Sequence, residues 1–136
     1  MSLTVRVIAP DKTVWDATAE EVILPSQTGQ MGILTGHAPM LTALETGVMR
    51  VRADKDWTPI ALMGGFAEVE ANEVTILVNS AERGSDINLD DAKAALSEAE
   101  AQLNKAQSGT DRSDLIQATQ NFKRARARVQ AAGGNA

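Results

Sequence analysis

The stretch Glu82-Arg83-Gly84-Ser85-Asp86-Ile87-Asn88 (residues 82–88) separates two parts of the chain that differ in composition. All four prolines and seven of the ten glycines lie at or before Gly84, and the apolar runs there are short and rich in Val, Ile and Thr. From Asp86 onward there is no proline, alanine is frequent, and apolar residues recur at helical spacing. These differences predict an α+β protein with a β module over residues 1–84 and a helical module over residues 86–136.

The β module contains short runs of strand character with turn residues between them, which is typical of a β-sandwich or barrel. We expect an antiparallel sandwich. The predicted strands are Leu3–Ala9, Thr13–Trp15, Glu21–Leu24, Gly47–Ala53, Trp57–Met63, Phe66–Glu70 and Val74–Asn79. Gly64-Gly65 is interpreted as a break between strands, and Gln30–Pro39 as a glycine-rich loop. Alternation places Val48 on the same side as Arg50 and Arg52.

Two helices are predicted, from about Leu89 to Gln107 and from about Ser113 to Ala132, with Asn88 as the N-cap of the first. Six apolar residues in each follow an alternating spacing of three and four, and we call these twelve residues the interhelical stripe. They are Leu89, Ala92, Leu96, Ala99, Leu103 and Ala106, then Leu115, Ala118, Phe122, Ala125, Val129 and Ala132.

The large residues of the interhelical stripe pair symmetrically about Gly109. This symmetry predicts an antiparallel hairpin that turns at Ser108-Gly109. Two legs of an intermolecular bundle would show the same period, so that alternative stays open. Few stripe residues are large, so we expect the hairpin to depend for its stability on contacts with the β module or with a partner. A modest competing interaction could then release it.

Composition excludes several classes of function. Aromatic residues make up 3% of the chain, too few for a platform that stacks nucleic-acid bases, and there is no cysteine for disulfides or thiolate chemistry. The net charge of −5 also argues against nonspecific nucleic-acid binding. No apolar run is long enough to span a membrane and the opening residues 1–6 do not form a signal peptide, so we expect the protein to stay in the compartment where it is made.

The candidate chemistry is sparse. His37 lies in Gly36-His37-Ala38-Pro39, without a nucleophile motif or metal-ligand spacing, so a loop histidine that meets backbone or a protein partner is favoured over a catalytic one. The basic cluster (Lys123, Arg124, Arg126 and Arg128) has two interpretations. It is either a solvated helix end that balances the helix dipole, or an arm that grips an acidic surface or a phosphate. Folding about residue 109 is expected to bring this cluster near Asp90 and Asp91.

One segment carries a family resemblance. Gly29-Gln30-Met31-Gly32-Ile33-Leu34-Thr35-Gly36-His37-Ala38-Pro39 resembles the G-x-x-G-I-x-x-G-H-A-P stretch of the ε subunits of the rotary ATP synthase. Residues 7–10 (VIAP), 21–25 (EVILP) and 64–69 (GGFAEV) resemble the same family in register. The likeness extends over essentially the whole chain, and is greatest to the cyanobacterial and plastid members.

The resemblance implies a fold and a role. The family's N-terminal domain is a flattened ten-stranded sandwich that binds the γ subunit and sits on the c-ring, and Gln30, Met31 and His37 are the residues implied at that contact. The C-terminal hairpin lies folded on the sandwich, or extends along γ toward the α and β subunits and inhibits ATP hydrolysis. Lys123, Arg124, Arg126 and Arg128 are the residues implied in the inhibitory helix. The implied subunit is non-catalytic and peripheral, on the cytoplasmic or stromal face of a thylakoid or plasma membrane.

ATP is the one small ligand that the resemblance implies. Some bacterial members bind it on the folded hairpin through an I/L-D-x-x-R-A motif and arginines of the second helix. The corresponding positions here, residues 89–94, make Asp90, Lys93, Arg124 and Arg128 the candidate contacts. Lys93 stands where the motif has arginine, which removes the planar bidentate fork. Without the resemblance, the alternatives are a sandwich adaptor that docks its hairpin onto an acidic partner, and an enzyme that uses His37.

Overall fold

The computed structural model describes residues 2–134 and contains eight strands, one 3-10 turn and two helices. The strands are β1 (Leu3–Ala9), β2 (Lys12–Ala19), β3 (Glu21–Ser26), β4 (Gly29–Leu34), β5 (Met40–Ala53), β6 (Asp56–Glu70), β7 (Glu73–Val78) and β8 (Ala81–Arg83). The 3-10 turn is Gly84–Asp86, and the helices are α1 (Leu89–Gln107) and α2 (Arg112–Ala131). Residues 1, 135 and 136 of the two predicted modules lie outside the described range.

The strands form one hydrogen-bonded path in the order β2-β1-β7-β6-β5-β3-β4, with β8 paired to β6. The path folds back on itself, because β2 packs against β5 and β8 without pairing to either. The long strands β5 and β6 pass through both layers, and their ladder is interrupted between the pairs Leu44–Gly65 and Thr46–Met63. The eight strands therefore give ten segments in two layers. All ladders are antiparallel except that of β1 with β7, so the predicted sandwich class is confirmed.

The bend in β6 requires glycine at residue 65. Gly65 has a φ of +149°, and a Cβ there would collide with the carbonyl oxygen of Leu77 and lie 2.8 Å from the Cα of Val78. The prediction that Gly64-Gly65 separates two strands is therefore wrong, because these glycines bend one continuous strand instead of ending it.

The predicted loop Gln30–Pro39 is partly wrong as well. Residues 29–34 form β4, the edge strand paired to β3, and only residues 35–39 are loop. An edge strand tolerates Gly32, which is paired opposite Ile23. The first half of β5, residues 40–46, is a strand that the sequence pattern did not predict.

The sandwich has its own core between the two layers, formed by alternate residues of all eight strands. Arg83 connects β8 to β2, two strands that are not paired to each other. Its Nε donates to the carbonyl oxygen of Val14 at 2.8 Å, and its guanidinium lies 5.0 Å from the ring centre of Trp15. No residue of α1 or α2 belongs to this core. We therefore expect the sandwich to fold without the helices.

The helical hairpin follows the predicted register. The helix Leu89–Gln107 has the predicted bounds, and Asn88 caps it by accepting a hydrogen bond from the amide of Asp91 at 3.0 Å. In α1 the six stripe residues are the only ones that are not exposed. Leu89 and Val129, an expected pair, lie side by side, since a Cβ on Gly134 would touch both. The hairpin is intramolecular, with its turn at residues 108–111.

A second face of α2 holds the hairpin on the sandwich. Ala127 and Ala131, which lie outside the interhelical stripe, are 1% and 2% exposed and pack with Val48 and Ala61 of β5 and β6. Val48 lies on the same face of β5 as Arg50 and Arg52, as predicted, but it is only 5% exposed. The helix covers that side of the strand. The contact forms a small apolar cluster that is separate from the sandwich core.

Candidate functional site

An apolar row crosses the outer face of the layer that the hairpin does not cover. Ile8, Leu77, Phe66 and Ala43 are consecutive cross-strand neighbours on β1, β7, β6 and β5, and we call them the apolar row. Phe66 and Leu77 are 57% and 53% exposed. Leu41, two residues from Ala43 on the same face, is also exposed. A contiguous exposed apolar patch of this kind marks a protein–protein contact surface.

Sequence reasoning missed the apolar row, although its signal was present. The alternation in residues 66–70 places Phe66 on the side of Glu68 and Glu70, away from the buried Ala67 and Val69. A large aromatic residue on the polar side of an amphipathic strand is the observation that points to a partner. The pattern alone does not separate such a residue from a phenylalanine buried by the second layer, which is the usual environment of that residue type in a sandwich.

The three residues predicted at the c-ring contact lie on β4 and on the loop after it. Gln30 is exposed at the start of β4, and Met31 is half-buried against the sandwich core. His37 is half-buried in the loop of residues 35–39, where its Nδ1 lies 2.7 Å from the carbonyl oxygen of Ala38. The same loop is fixed by Gly36, whose amide donates to the side-chain oxygen of Asn72 at 2.7 Å. Within residues 2–134, His37 has no hydrogen bond to a serine or carboxylate that would make it a general base.

The basic cluster is divided by the docked hairpin. Arg128 forms a two-point ion pair with Glu82 of β8, with Nε to Oε1 at 2.9 Å and a second nitrogen to Oε2 at 3.3 Å. No ion pair within residues 2–134 joins the cluster to Asp90 or Asp91, which it was expected to approach. Lys123, Arg124 and Arg126 are exposed, and no ion pair in the described part of the chain involves them. Three of the four positive charges therefore face solvent in this state.

The candidate nucleotide contacts do not converge in the folded hairpin. Arg124 and Arg128 line a groove of about 540 Å³ between the helices and β8, together with Glu82 and Glu98. Asp90 and Lys93 do not line it, and both are exposed. The carboxylates of Glu82 and Glu98 repel a phosphate in this groove. Arg128 would be available to bind a phosphate only after its ion pair with Glu82 had broken. ATP binding stays a prediction.

Together these features define a protein made of a sandwich with an exposed apolar face and a helical hairpin docked on its other side. Residues 2–84 match the family described as the beta-sandwich domain of the ATP synthase delta/epsilon chain, and residues 85–133 match its long alpha-helix domain. The chain is 71% identical over 134 residues to the ATP synthase epsilon chain of Thermosynechococcus vestitus, covering 98% of this chain and 97% of that one. It is 72% identical over 136 residues to the ATP synthase epsilon chain of Nostoc punctiforme, covering 98% of both.

The chain belongs to the family of ATP synthase epsilon chains, as the resemblance in residues 29–39 predicted. Among solved structures, a chain of the Euglena gracilis mitochondrial ATP synthase shares the fold with a TM-score of 0.81 and 22% identity, covering 96% of this chain and 81% of that one. No helix within residues 2–134 is long and apolar enough to span a membrane.

Proposed function

We propose that this chain is a non-catalytic subunit of the central stalk, which links the γ subunit to the c-ring through its sandwich and restrains ATP hydrolysis through its hairpin. The observation that carries the proposal is the separation of the two apolar clusters. The sandwich core is complete without the helices, and the hairpin adheres through a second, smaller cluster. One half can therefore stay bound while the other half moves.

The apolar row is the proposed binding surface for the γ subunit. Phe66 and Leu77 lie at its centre, and Glu68 and Glu70 follow Phe66 on the same face. The partner surface that fits is an apolar patch with a basic rim. The hairpin docks on the opposite outer face, so its release does not disturb this contact.

The loop of residues 35–39 and the start of β4 are the proposed contact with the c-ring. His37→Ala is expected to weaken the coupling of proton flow to ATP synthesis severalfold, because it removes a side chain from the proposed contact. The fold should persist, because the hydrogen bond of the His37 ring is to Ala38 in the same loop. The melting temperature of the isolated subunit should stay within about 2 °C of the unchanged chain, since surface substitutions are usually neutral. Proton-driven ATP synthesis in reconstituted vesicles checks this. A large drop in melting temperature would make His37 structural and remove the interface assignment.

The exposed part of the basic cluster is the proposed inhibitory contact. An extended α2 would carry Lys123, Arg124 and Arg126 toward the α and β subunits, where acidic residues could pair with them. Each exposed ion pair contributes about 0–1 kcal/mol, so a single pair should have little influence on inhibition of ATP hydrolysis, whereas three together should have a measurable one.

Replacement of Lys123, Arg124 and Arg126 by alanine is therefore expected to relieve inhibition of ATP hydrolysis about tenfold, in steps, without weakening γ binding. The control replaces Lys105 and Arg112, two other exposed basic residues of the hairpin. Inhibition that persists in the triple variant, or falls equally in both, would reduce the cluster to a solvated helix end.

The adaptor alternative is separated from this proposal by reconstitution with the α, β and γ subunits. Only a stalk subunit associates with γ at one copy per complex and changes the rate of ATP hydrolysis. Its place would be peripheral, held through the complex at the cytoplasmic or stromal face of an energy-transducing membrane. ATP is proposed as a regulatory ligand of the folded hairpin, with Arg124 and Arg128 as its phosphate contacts after release of Glu82.

A further inference from the structure

The segment between the sandwich and α1 contacts the C-terminal end of α2. Gly84, the first residue of the 3-10 turn, is buried, and the last turn of α2 passes directly over it. A Cβ at residue 84 would collide with the carbonyl oxygen of Ala131, and would lie 2.7 Å from the carbonyl carbon of Ala131 and 3.1 Å from Cγ of Pro59. The contact is therefore backbone against backbone, at a distance that only glycine allows.

The backbone conformation does not by itself explain this glycine. Gly84 is not among the glycines with positive φ, which are Gly29, Gly36, Gly64, Gly65 and Gly133. Any residue could adopt its dihedral angles. The approach of α2 is the feature of the docked state that excludes a side chain there.

A second contact lies beside the first. Glu82, two residues before Gly84, holds Arg128, three residues before Ala131, in the two-point ion pair. The two contacts join the end of β8 and the start of the 3-10 turn to the last turn of α2, and we call the four residues (Glu82, Gly84, Arg128 and Ala131) the linker clamp. The opposite end of the hairpin is less well packed, with Leu103 and Leu115 only half-buried and Ile116 52% exposed. The linker clamp therefore adds to the apolar contact of Ala127 and Ala131 with Val48 and Ala61, and both contacts lie toward the C-terminal end of α2.

We infer that the linker clamp controls release of the hairpin, and that Gly84 is the position where the smallest side chain shifts the equilibrium to the undocked state. A methyl group at residue 84 cannot be accommodated by a rotamer change, because the opposing atoms are backbone. The last turn of α2 must move away instead, which breaks the Arg128–Glu82 pair at the same time. The core of the sandwich is untouched, since Gly84 is not part of it.

The test measures a distance in the isolated full chain. The sequence has no cysteine, so cysteines introduced at Asn79 and Gln120 are the only labelling sites for a spin-label pair. Both residues are exposed and line the same groove in the docked state, so the labels report docking directly. Gly84→Ala is expected to lower the ratio of short to long distances at least about tenfold. Tryptophan fluorescence should not change, because Trp15 and Trp57 both lie in the sandwich.

Gly109→Ala is the matched control, because the nearest atom to a Cβ there is the carbonyl oxygen of Ala106 at an ordinary 3.5 Å. It should change the ratio less than about twofold. Glu82→Gln, which adds no bulk, should lower the ratio of short to long distances a few-fold at low salt. The effect should shrink as salt is added, because salt already weakens the partly exposed Arg128–Glu82 pair in the unchanged chain. Unchanged distances in Gly84→Ala, or loss of the tryptophan signal together with docking, would overturn the inference.

The regulatory consequence rests on the proposed function. In the complex reconstituted with α, β and γ, Gly84→Ala should inhibit ATP hydrolysis more strongly than the unchanged chain, because more of the hairpin is free to extend. A shifted distance with unchanged hydrolysis would keep the linker clamp and count against the proposed inhibitory role instead.

Discussion

Removal of residues 86–136 is expected to abolish inhibition of ATP hydrolysis and to leave a folded sandwich that binds the γ subunit with unchanged affinity. The remaining residues hold the complete sandwich core and keep Arg83, which fastens β8 to β2. The truncation uncovers Val48 and Ala61, so the free energy of unfolding should fall by about 1–3 kcal/mol. Denaturant unfolding, γ binding and the rate of ATP hydrolysis check the three parts of this result.

A second truncation serves as its control. Removal of residues 81–136 also deletes β8 and Arg83, and with them the contact that closes the sandwich. This shorter chain should unfold at markedly lower denaturant concentration. If the longer fragment aggregates or no longer binds γ, the hairpin is part of the sandwich fold and the division into two functional halves is wrong.

Phe66→Glu is expected to weaken γ binding by about 100-fold, because an aromatic residue at the centre of an interface contributes 2 kcal/mol or more and a buried unpaired carboxylate adds a penalty. The sandwich itself should tolerate the change, since Phe66 is 57% exposed and points away from the core. Titration of the γ subunit, together with the melting temperature of the variant, measures both effects.

Leu34→Glu is the matched control for Phe66→Glu. Leu34 is 53% exposed, close to the 57% of Phe66, but it lies on β4 outside the apolar row. It should leave γ affinity within about twofold of the unchanged chain. Equal losses in both variants would indicate a general effect of added negative charge, and unchanged binding in Phe66→Glu would remove the apolar row as the γ surface.

The sequence predicts the helices better than the strands for a physical reason. A helix that packs by one face records that face in its own spacing, and all six stripe residues of α1 are the ones shielded from solvent. A strand in a bent sheet depends on hydrogen-bond partners in other strands. The continuity of β6 through Gly64-Gly65 depends on its ladders to β5 and β7, which no local pattern contains.

The functional surfaces were only partly predictable. The basic cluster is visible as charge density, but its division depends on Glu82, a residue 46 positions from Arg128. Ala127 and Ala131 gave no signal as a docking face because alanine is common throughout the helices. Gly84 marks the break in composition, yet its close contact with Ala131 is a property of the docked state alone.

The central claim is that the sandwich stays bound while the hairpin changes position, and a distance measurement in the assembled complex tests it most directly. With labels at residues 79 and 120 and the chain bound to α, β and γ, we expect a short distance for the docked state and a separate, longer distance that grows as inhibition of ATP hydrolysis grows. A single short distance in both the inhibited and the active complex would contradict the account.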